Sequence, residues 1–456
     1  MQVGFGKGKI TPTGGKIVIA GRIPVRYTDV VHDDVWATAM VVQNNGVRTI
    51  WVSLDICHPT RRLTEDVIAA LKDKIADFKR EELILNATHA TACFYLTDDE
   101  YINAGVEVEI DKIMPLHKTR KQVVDGVLEA VESAILNMQN CTMEFSTADI
   151  LTGFCRRVVF EDGSAEMYGN PHREDFLRME YPDGQSSQYL YFYTEEKHEL
   201  VGVFANVPCP AQAAEGEEHI TGDFWTTVRS RIREAFGENV EVIAACRAAG
   251  ELSPHRILYT AGGYNKNEWD RIAAKRLGDH IADSIIREKN LPLKKYSIEE
   301  LAHNRITKTL SFPIRRASEQ DRVLAEEYFK NDENFDQDGK PKNIDNHLKY
   351  AHVRRLFEDE ISVYDAAVSA VKIADVLFFT APVELFTEYS KRIAMRFPKN
   401  PIFDVQLTND CLGYLPTKEA VAHGGYSTHI FSTLTTTEGG EKYVEEVSKL
   451  LAELAE

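Results

Sequence analysis

Residues 240–256 read VEVIAACRAAGELSPHR, an apolar run that stops at Ala248-Ala249-Gly250 and releases into Glu251-Leu252-Ser253-Pro254-His255-Arg256. A short apolar run bounded by Gly and Pro has the pattern of a sheet-core strand, and loops leaving strand ends are where α/β proteins place their chemistry. Ser253 is therefore a candidate for function, while the plainer reading is that Ser-Pro turns the chain.

Upstream, Leu200–Val207 (LVGVFANV) is a second apolar strand that runs into Pro208-Cys209-Pro210, and residues 223–236 read as a helix carrying Arg229, Arg231 and Arg233. Near the start, residues 35–43 and 49–54 flank Asn44-Asn45-Gly46, a hairpin signal because positive φ is cheapest at Asn and Gly. Residues 63–78 have helical spacing, and Leu83–Ala87 returns as a buried strand ending in Thr88-His89-Ala90-Thr91-Ala92-Cys93. Residues 121–136 form an amphipathic stripe, and strands are predicted at 142–148, 155–160 and 189–193.

Beyond the central run, residues 265–360 turn charged and helical, which predicts an insertion or lid. Within it, Asn334, Asp336, Asp338 and Gly339 match the start of a calcium-binding loop, but Asp345 holds the twelfth position, and a solvated loop is the expectation. Strands return at 362–370 and Val376–Thr380, followed by a helix over 384–397 opened by Pro382. The expected architecture is one α/β unit with a mixed sheet over residues 1–456.

Composition narrows the function. Against 71 acidic residues stand 53 basic ones, a net charge of −18, which repels nucleic acid and anionic membranes. No apolar segment opens the chain as a signal peptide would, so a cytoplasmic protein with a small-molecule partner is expected. Seven scattered cysteines without a CxxC pair suggest buried thiols rather than disulfides or a zinc ribbon; the sequence sets no oligomeric state.

Reactive side chains gather at strand ends: His89, Cys209, Ser253 and Glu384, with His423-Gly424-Gly425-Tyr426 in a glycine-flanked loop. Each alone has a plain structural reading; Glu384, for instance, suits the positive end of its predicted helix. Together they suggest a site, since a catalytic zinc takes His and carboxylate ligands from several elements and keeps one position open.

In chain order these groups resemble the neutral ceramidase family of zinc-dependent amide hydrolases, and more closely its shorter bacterial relatives. Lys9-Ile10-Thr11-Pro12 resembles the family's first strand with Ile-Thr-Pro, and Val52-Ser53-Leu54-Asp55 its Val-Ser-x-Asp strand. Ala87-Thr88-His89-Ala90-Thr91-Ala92 resembles the Ala-Thr-His-Thr-His-Ser loop, which puts His89 on a zinc ligand and Thr91 in place of the motif's second histidine. Cys155-Arg156 resembles the Asn-Arg motif and places Arg156 near the substrate. Gly250-Glu251-Leu252-Ser253-Pro254 resembles Gly-Asp-Val-Ser-Pro, making Ser253 the active-site serine. Pro382-Val383-Glu384 with Lys391-Arg392 resembles the Pro-Gly-Glu ligand segment. Gly424-Gly425-Tyr426-Ser427 resembles the segment whose tyrosine reaches the zinc, after a Gly413-Tyr414-Leu415-Pro416-Thr417 run also typical of the relatives.

The resemblance implies a mixed-sheet, ceramidase-like catalytic domain with a charged helical insertion and no carboxy-terminal immunoglobulin-like domain. It implies zinc held by His89, Glu384 and Tyr426, Ser253 as catalytic residue, and Arg156, Thr91 and Gln212 at the substrate. One departure matters: the family's second histidine ligand, in Phe-Ala-x-His-Pro, falls on Val207 of Phe204-Ala205-Asn206-Val207-Pro208. Valine cannot bind a metal, so either zinc is lost or Cys209, Gln212 or Glu215 takes over. The expected function is a metal-dependent hydrolase of a small polar amide or related bond rather than long-chain ceramide. The alternatives are a carbohydrate hydrolase or isomerase using Glu384, Glu251 or Asp410, and a metal-free ligand-binding protein.

Overall fold

The computed structural model describes residues 1–456 except 21–25, 95, 97–113, 260–268, 338, 340, 359 and 456, with the backbone alone for 259 and 344–348. The larger sheet comprises β1 (Gln2–Lys9), β2 (Trp36–Asn44), β3 (Val47–Leu54), β4 (Leu83–Ala87), β5 (Gln139–Ala148), β6 (Ser187–Thr194), β7 (Leu200–Val207) and β8 (Glu241–Cys246). Their order is β8-β7-β6-β5-β1-β2-β3-β4, with Lys294–Tyr296 also beside β5. Pairing is antiparallel except for β7 with β8 and β3 with β4. The hairpin expected at Asn45-Gly46 forms, with φ of 48° and 79° as a type I′ turn requires. β1 and β5 share only two residue pairs, so the sheet is two halves. The halves meet again where Ser53 Oγ and Asn86 Nδ2 donate to Ala244 O at 2.6 and 3.0 Å.

A second sheet, β9 (His303–Pro313), β10 (Val363–Ile373), β11 (Val376–Thr380) and β12 (Ile402–Val405), lies against the first. Side chains alternate across each strand, which fixes the layering. Ile50, Val52 and Leu54 enter a core with the helices α1 (Arg61–Lys74), α2 (Leu116–Leu136), α3 (Phe224–Phe236) and α4 (Arg271–Glu288). Trp51 points the other way and meets Phe204 and Phe378, at ring distances of 4.9 and 5.5 Å, between the two sheets. The outer face of the second sheet buries Leu377 and Phe379 beneath the helices Thr387–Ala394 and Thr437–Ala455. The order of layers is helices, sheet, sheet, helices.

The GFGKG run of β1 has a packing cause. A Cβ on Gly4, Gly6 or Gly8 would fall 1.9, 2.3 or 1.9 Å from a carbonyl oxygen of α2, so only glycine lets that helix lie on the strand.

Two predicted elements are built differently. The charged stretch 265–360 is divided: Ile281 and Ile285 of α4 belong to the main core, β9 is a sheet strand, and the paired helices Glu319–Lys330 and Ile344–Glu358 form the peripheral part. Glu384 does not open a helix. Glu384–Leu385 is a two-residue strand parallel to Tyr414–Leu415, and the helix begins at Thr387. In the calcium-like loop, Asn334 is held by Tyr328 O and Lys342 N, while Asp338 lies outside the described residues.

Candidate active site

His89 follows β4 by two residues and takes a positive φ of 62°, a strained backbone that fixes where its ring points. Nδ1 lies 2.8 Å from Cys57 O, so the N–H is assigned there and the Nε2 lone pair faces inward. Two side chains meet that nitrogen: Glu384 Oε2 at 3.2 Å and the amide nitrogen Nε2 of Gln212 at 3.4 Å. An imidazole lone pair and a carboxylate oxygen so close require a cation between them, either a proton or a metal ion. Burial, the largest influence, opposes charge on His89, but Glu384 and the Cys57 sulfur, 3.8 Å away, outweigh it and raise the imidazole well above its usual range. Glu384 is pushed below the usual carboxylate range by His89, Arg156 and Tyr414 despite the contrary effect of burial.

Arg156 sits in the break between the short strands Phe154–Cys155 and Arg157–Phe160. Its Nη2 donates to Gly250 O at 3.0 Å and Tyr414 Oη at 3.1 Å, and Nη1 to Tyr168 Oη at 3.2 Å. Tyr168 donates in turn to Ser253 Oγ at 3.2 Å, and that oxygen also accepts from His255 N at 3.2 Å. Tyr414 lies against Glu384 and helps to stabilise its charge. One path of polar contacts therefore runs from His89 through Glu384, Tyr414, Arg156 and Tyr168 to Ser253. Tyr426 lies beside it, its ring centroid 5.6 Å from that of Tyr414. Thr91 is not on the path: its backbone N–H donates to Ala211 O at 3.2 Å, next to Gln212.

All seven predicted site residues thus lie in or beside one centre. Tyr414 and Tyr168 were missed as participants. Tyr414, rather than the half-exposed Tyr426, is the tyrosine against both Glu384 and Arg156. The Gly413-Tyr414 run was the available signal: Gly413 takes φ 73° at the start of the strand beside Glu384.

Other candidates are engaged elsewhere. Val207 is fully buried in the core between sheet and helices. Cys209 turns its sulfur to Pro210 O at 3.5 Å, and burial raises its thiol well above the usual range. Glu215 is half-buried where its charge acts on Tyr168 and Tyr426. His423 bonds Glu180 at 2.8 Å. Glu251 accepts from Thr387 N at 3.0 Å and caps the helix Thr387–Ala394, whose own cap residue has no side-chain bond. Asp410 pairs with Arg61 and Tyr364 at 2.9 and 3.0 Å. Of the three carboxylates considered for sugar chemistry, Glu384 is the one in the centre.

The donor set bears on a metal. Among the described residues no three His, Cys, Asp or Glu cluster as a site. Yet two ligands about 2.0–2.1 Å from a tetrahedral ion stand roughly 3.3 Å apart, close to the His89–Glu384 separation of 3.2 Å. His89 also has the carbonyl partner on its second nitrogen that metal-binding histidines use. Gln212 Oε1 and Thr91 Oγ1 are buried without a partner among the described residues. The pair His89 and Glu384 has the spacing and donor chemistry to hold a divalent cation.

Residues 1–230 match the family description "Neutral/alkaline non-lysosomal ceramidase, N-terminal". Two solved structures share the fold. The crystal structure of neutral ceramidase from Pseudomonas aeruginosa is 17% identical with a TM-score of 0.72, covering 100% of this chain and 74% of that one. A ceramidase complexed with C2 is 16% identical with a TM-score of 0.72, covering 99% and 75%. No curated protein sequence matches.

Proposed function

Since the chain belongs to the neutral/alkaline non-lysosomal ceramidase family, we propose that it hydrolyses the amide bond of a small, polar N-acyl compound at the centre formed by His89, Glu384, Arg156 and Ser253. The observation that carries this reading is the run of polar contacts that joins the cation pair His89–Glu384, with Tyr414 against Glu384, to Arg156 and Ser253. A divalent metal, zinc by the family's precedent, would be held by His89 and Glu384 with Tyr426 or Tyr414. It would supply Lewis acidity to a carbonyl oxygen.

The chain's own groups divide the remaining work. Arg156 stays charged at physiological pH; its Nη atoms are committed to Gly250, Tyr414 and Tyr168, while the buried Nε has no partner among the described residues. That Nε–H serves an acyl oxygen or a substrate carboxylate. Ser253 Oγ already accepts from Tyr168 and His255 N, which fills both lone pairs. Its remaining capacity is its own O–H, so Ser253 acts as a hydrogen-bond donor to the developing oxyanion rather than as nucleophile. His255 is stacked on Trp269 at 3.4 Å and is held neutral by burial, which pushes its imidazole down to about 3. The polar wall suits a short substrate better than a long alkyl chain.

The test is a panel of N-acyl amides from acetyl to palmitoyl. Ser253→Ala should lower kcat by about 10²–10³ with KM little changed, and Arg156→Ala should also raise KM. If both variants melt lower yet turn over normally, the two residues are structural. Preference for the long-chain amide would refute the small-substrate assignment.

A further inference from the structure

The loop after β7 replaces one ligand by another, and this inference rests on the metal-site reading above. Val207, at the family's histidine position, is sealed in the core and cannot turn toward the centre. Five residues on, Gln212 is brought there by a zipper of backbone bonds. Ala211 N donates to Thr88 O, Thr91 N to Ala211 O, and Gln212 N to Pro210 O. Asp223, itself the cap of α3, ties down the next turn by accepting from Ala214 N at 2.6 Å. The result is a buried amide, 6% exposed, whose nitrogen Nε2 is placed 3.4 Å from His89 Nε2. A half-turn of a terminal amide exchanges its oxygen and nitrogen without changing its shape. Beside any cation shared by His89 and Glu384 the oxygen is the favoured end, and Oε1, as placed, has no partner among the described residues.

We infer that Gln212 Oε1 is the third protein ligand of the metal, standing in for the histidine that Val207 displaces. The site is then one imidazole nitrogen with a carboxylate, an amide and a phenol oxygen, a donor set that serves manganese as well as zinc.

The test uses the full chain stripped with chelator, titrated separately with Zn²⁺ and Mn²⁺ by calorimetry, with elemental analysis of the product. Wild type should take up one ion per chain, and His89→Ala should lose it. Gln212→Ala should weaken binding by about tenfold or more, while Gln212→Glu, which keeps an oxygen at the same reach, should bind at least as tightly as wild type. Circular dichroism of the apo variants separates ligand loss from misfolding. If wild type and His89→Ala behave as stated but Gln212→Ala binds like wild type, Gln212 is not a ligand and the metal reading stands. Equal weakening in Gln212→Ala and Gln212→Glu makes the effect one of packing and also refutes the assignment. No uptake of either ion by wild type removes the metal reading and this inference together.

Discussion

At Gly250 the two ends of the centre touch. Its carbonyl accepts from Arg156 at 3.0 Å and its N–H donates to Leu385 O at 2.9 Å. A Cβ there would stand 2.8 Å from Glu384 O and 2.8 Å from Phe386 Cδ1. The glycine thus makes room for the Glu384 backbone, not for substrate. Main-chain oxygen cannot step aside as a flexible side chain can, so Gly250→Ala should shift Glu384, cost about 1–3 kcal/mol of stability and depress turnover well beyond that loss. Normal kinetics in a destabilised Gly250→Ala would show that the position of Glu384 is not critical. Ser253, His89 and Glu384 were legible because each breaks an apolar or glycine-bounded pattern with a reactive group, while Arg156 entered only through the resemblance of Cys155-Arg156 to a family motif. Tyr414 and Tyr168 were not: with 18 tyrosines in the chain, nothing local separates one that bonds an arginine from one that fills a core.

The loop carrying Tyr426 is held by one buried cation. Arg157 is fully buried and donates from Nη2 to Gly424 O at 2.7 Å and to Glu180 Oε1 at 3.1 Å. From Nη1 it donates to Tyr426 O at 2.8 Å. Glu180 is buried in turn and also holds His423 at 2.8 Å. Removing one member of such a pair strands the other, so Arg157→Met should cost about 3–5 kcal/mol. Arg157→Met with Glu180→Gln should regain much of this because no charge is stranded, but not the anchor on residues 424–426. Denaturant melts beside kinetics check it: a double variant restored in stability but slow marks the clamp as a positioning device, and full recovery of turnover refutes that. Element by element, the apolar strands were legible from their alternation and their Gly, Asn and Pro boundaries. β9 was hidden because its HNRITKTLSFP pattern leaves much of the strand exposed and charged, so within a charged stretch it read as helix.

At the scale of the whole molecule, the contact between the two sheets was beyond sequence reading, because it is made by residues as distant as Trp51, Phe204, Phe378 and Phe403. No local period reports which apolar faces will meet. Polar contacts cross the same boundary too, among them Asn206 Nδ2 to Asp404 O at 3.1 Å and a histidine bridge. His303 of β9 approaches Thr49 of β3, Nε2 to Oγ1 at 3.0 Å, and Lys372 O, from Nδ1 at 3.1 Å. With Nδ1–H donating to the carbonyl, Nε2 must stay unprotonated to accept from the threonine. Burial is the main reason that the imidazole is held down, to about 4 against 6.5. The unfolded chain therefore binds this proton at a higher pH than the folded one. The bridge contributes its full stability above about pH 6.5 and loses it as pH falls through about 4, an effect of the order of 3 kcal/mol from this group. His303→Gln keeps a donor and an acceptor but cannot titrate. Its melting temperature should fall less steeply than that of wild type between pH 6.5 and 4, measured in buffers of equal ionic strength. Parallel curves would mean that the acid sensitivity of the sandwich arises from other groups.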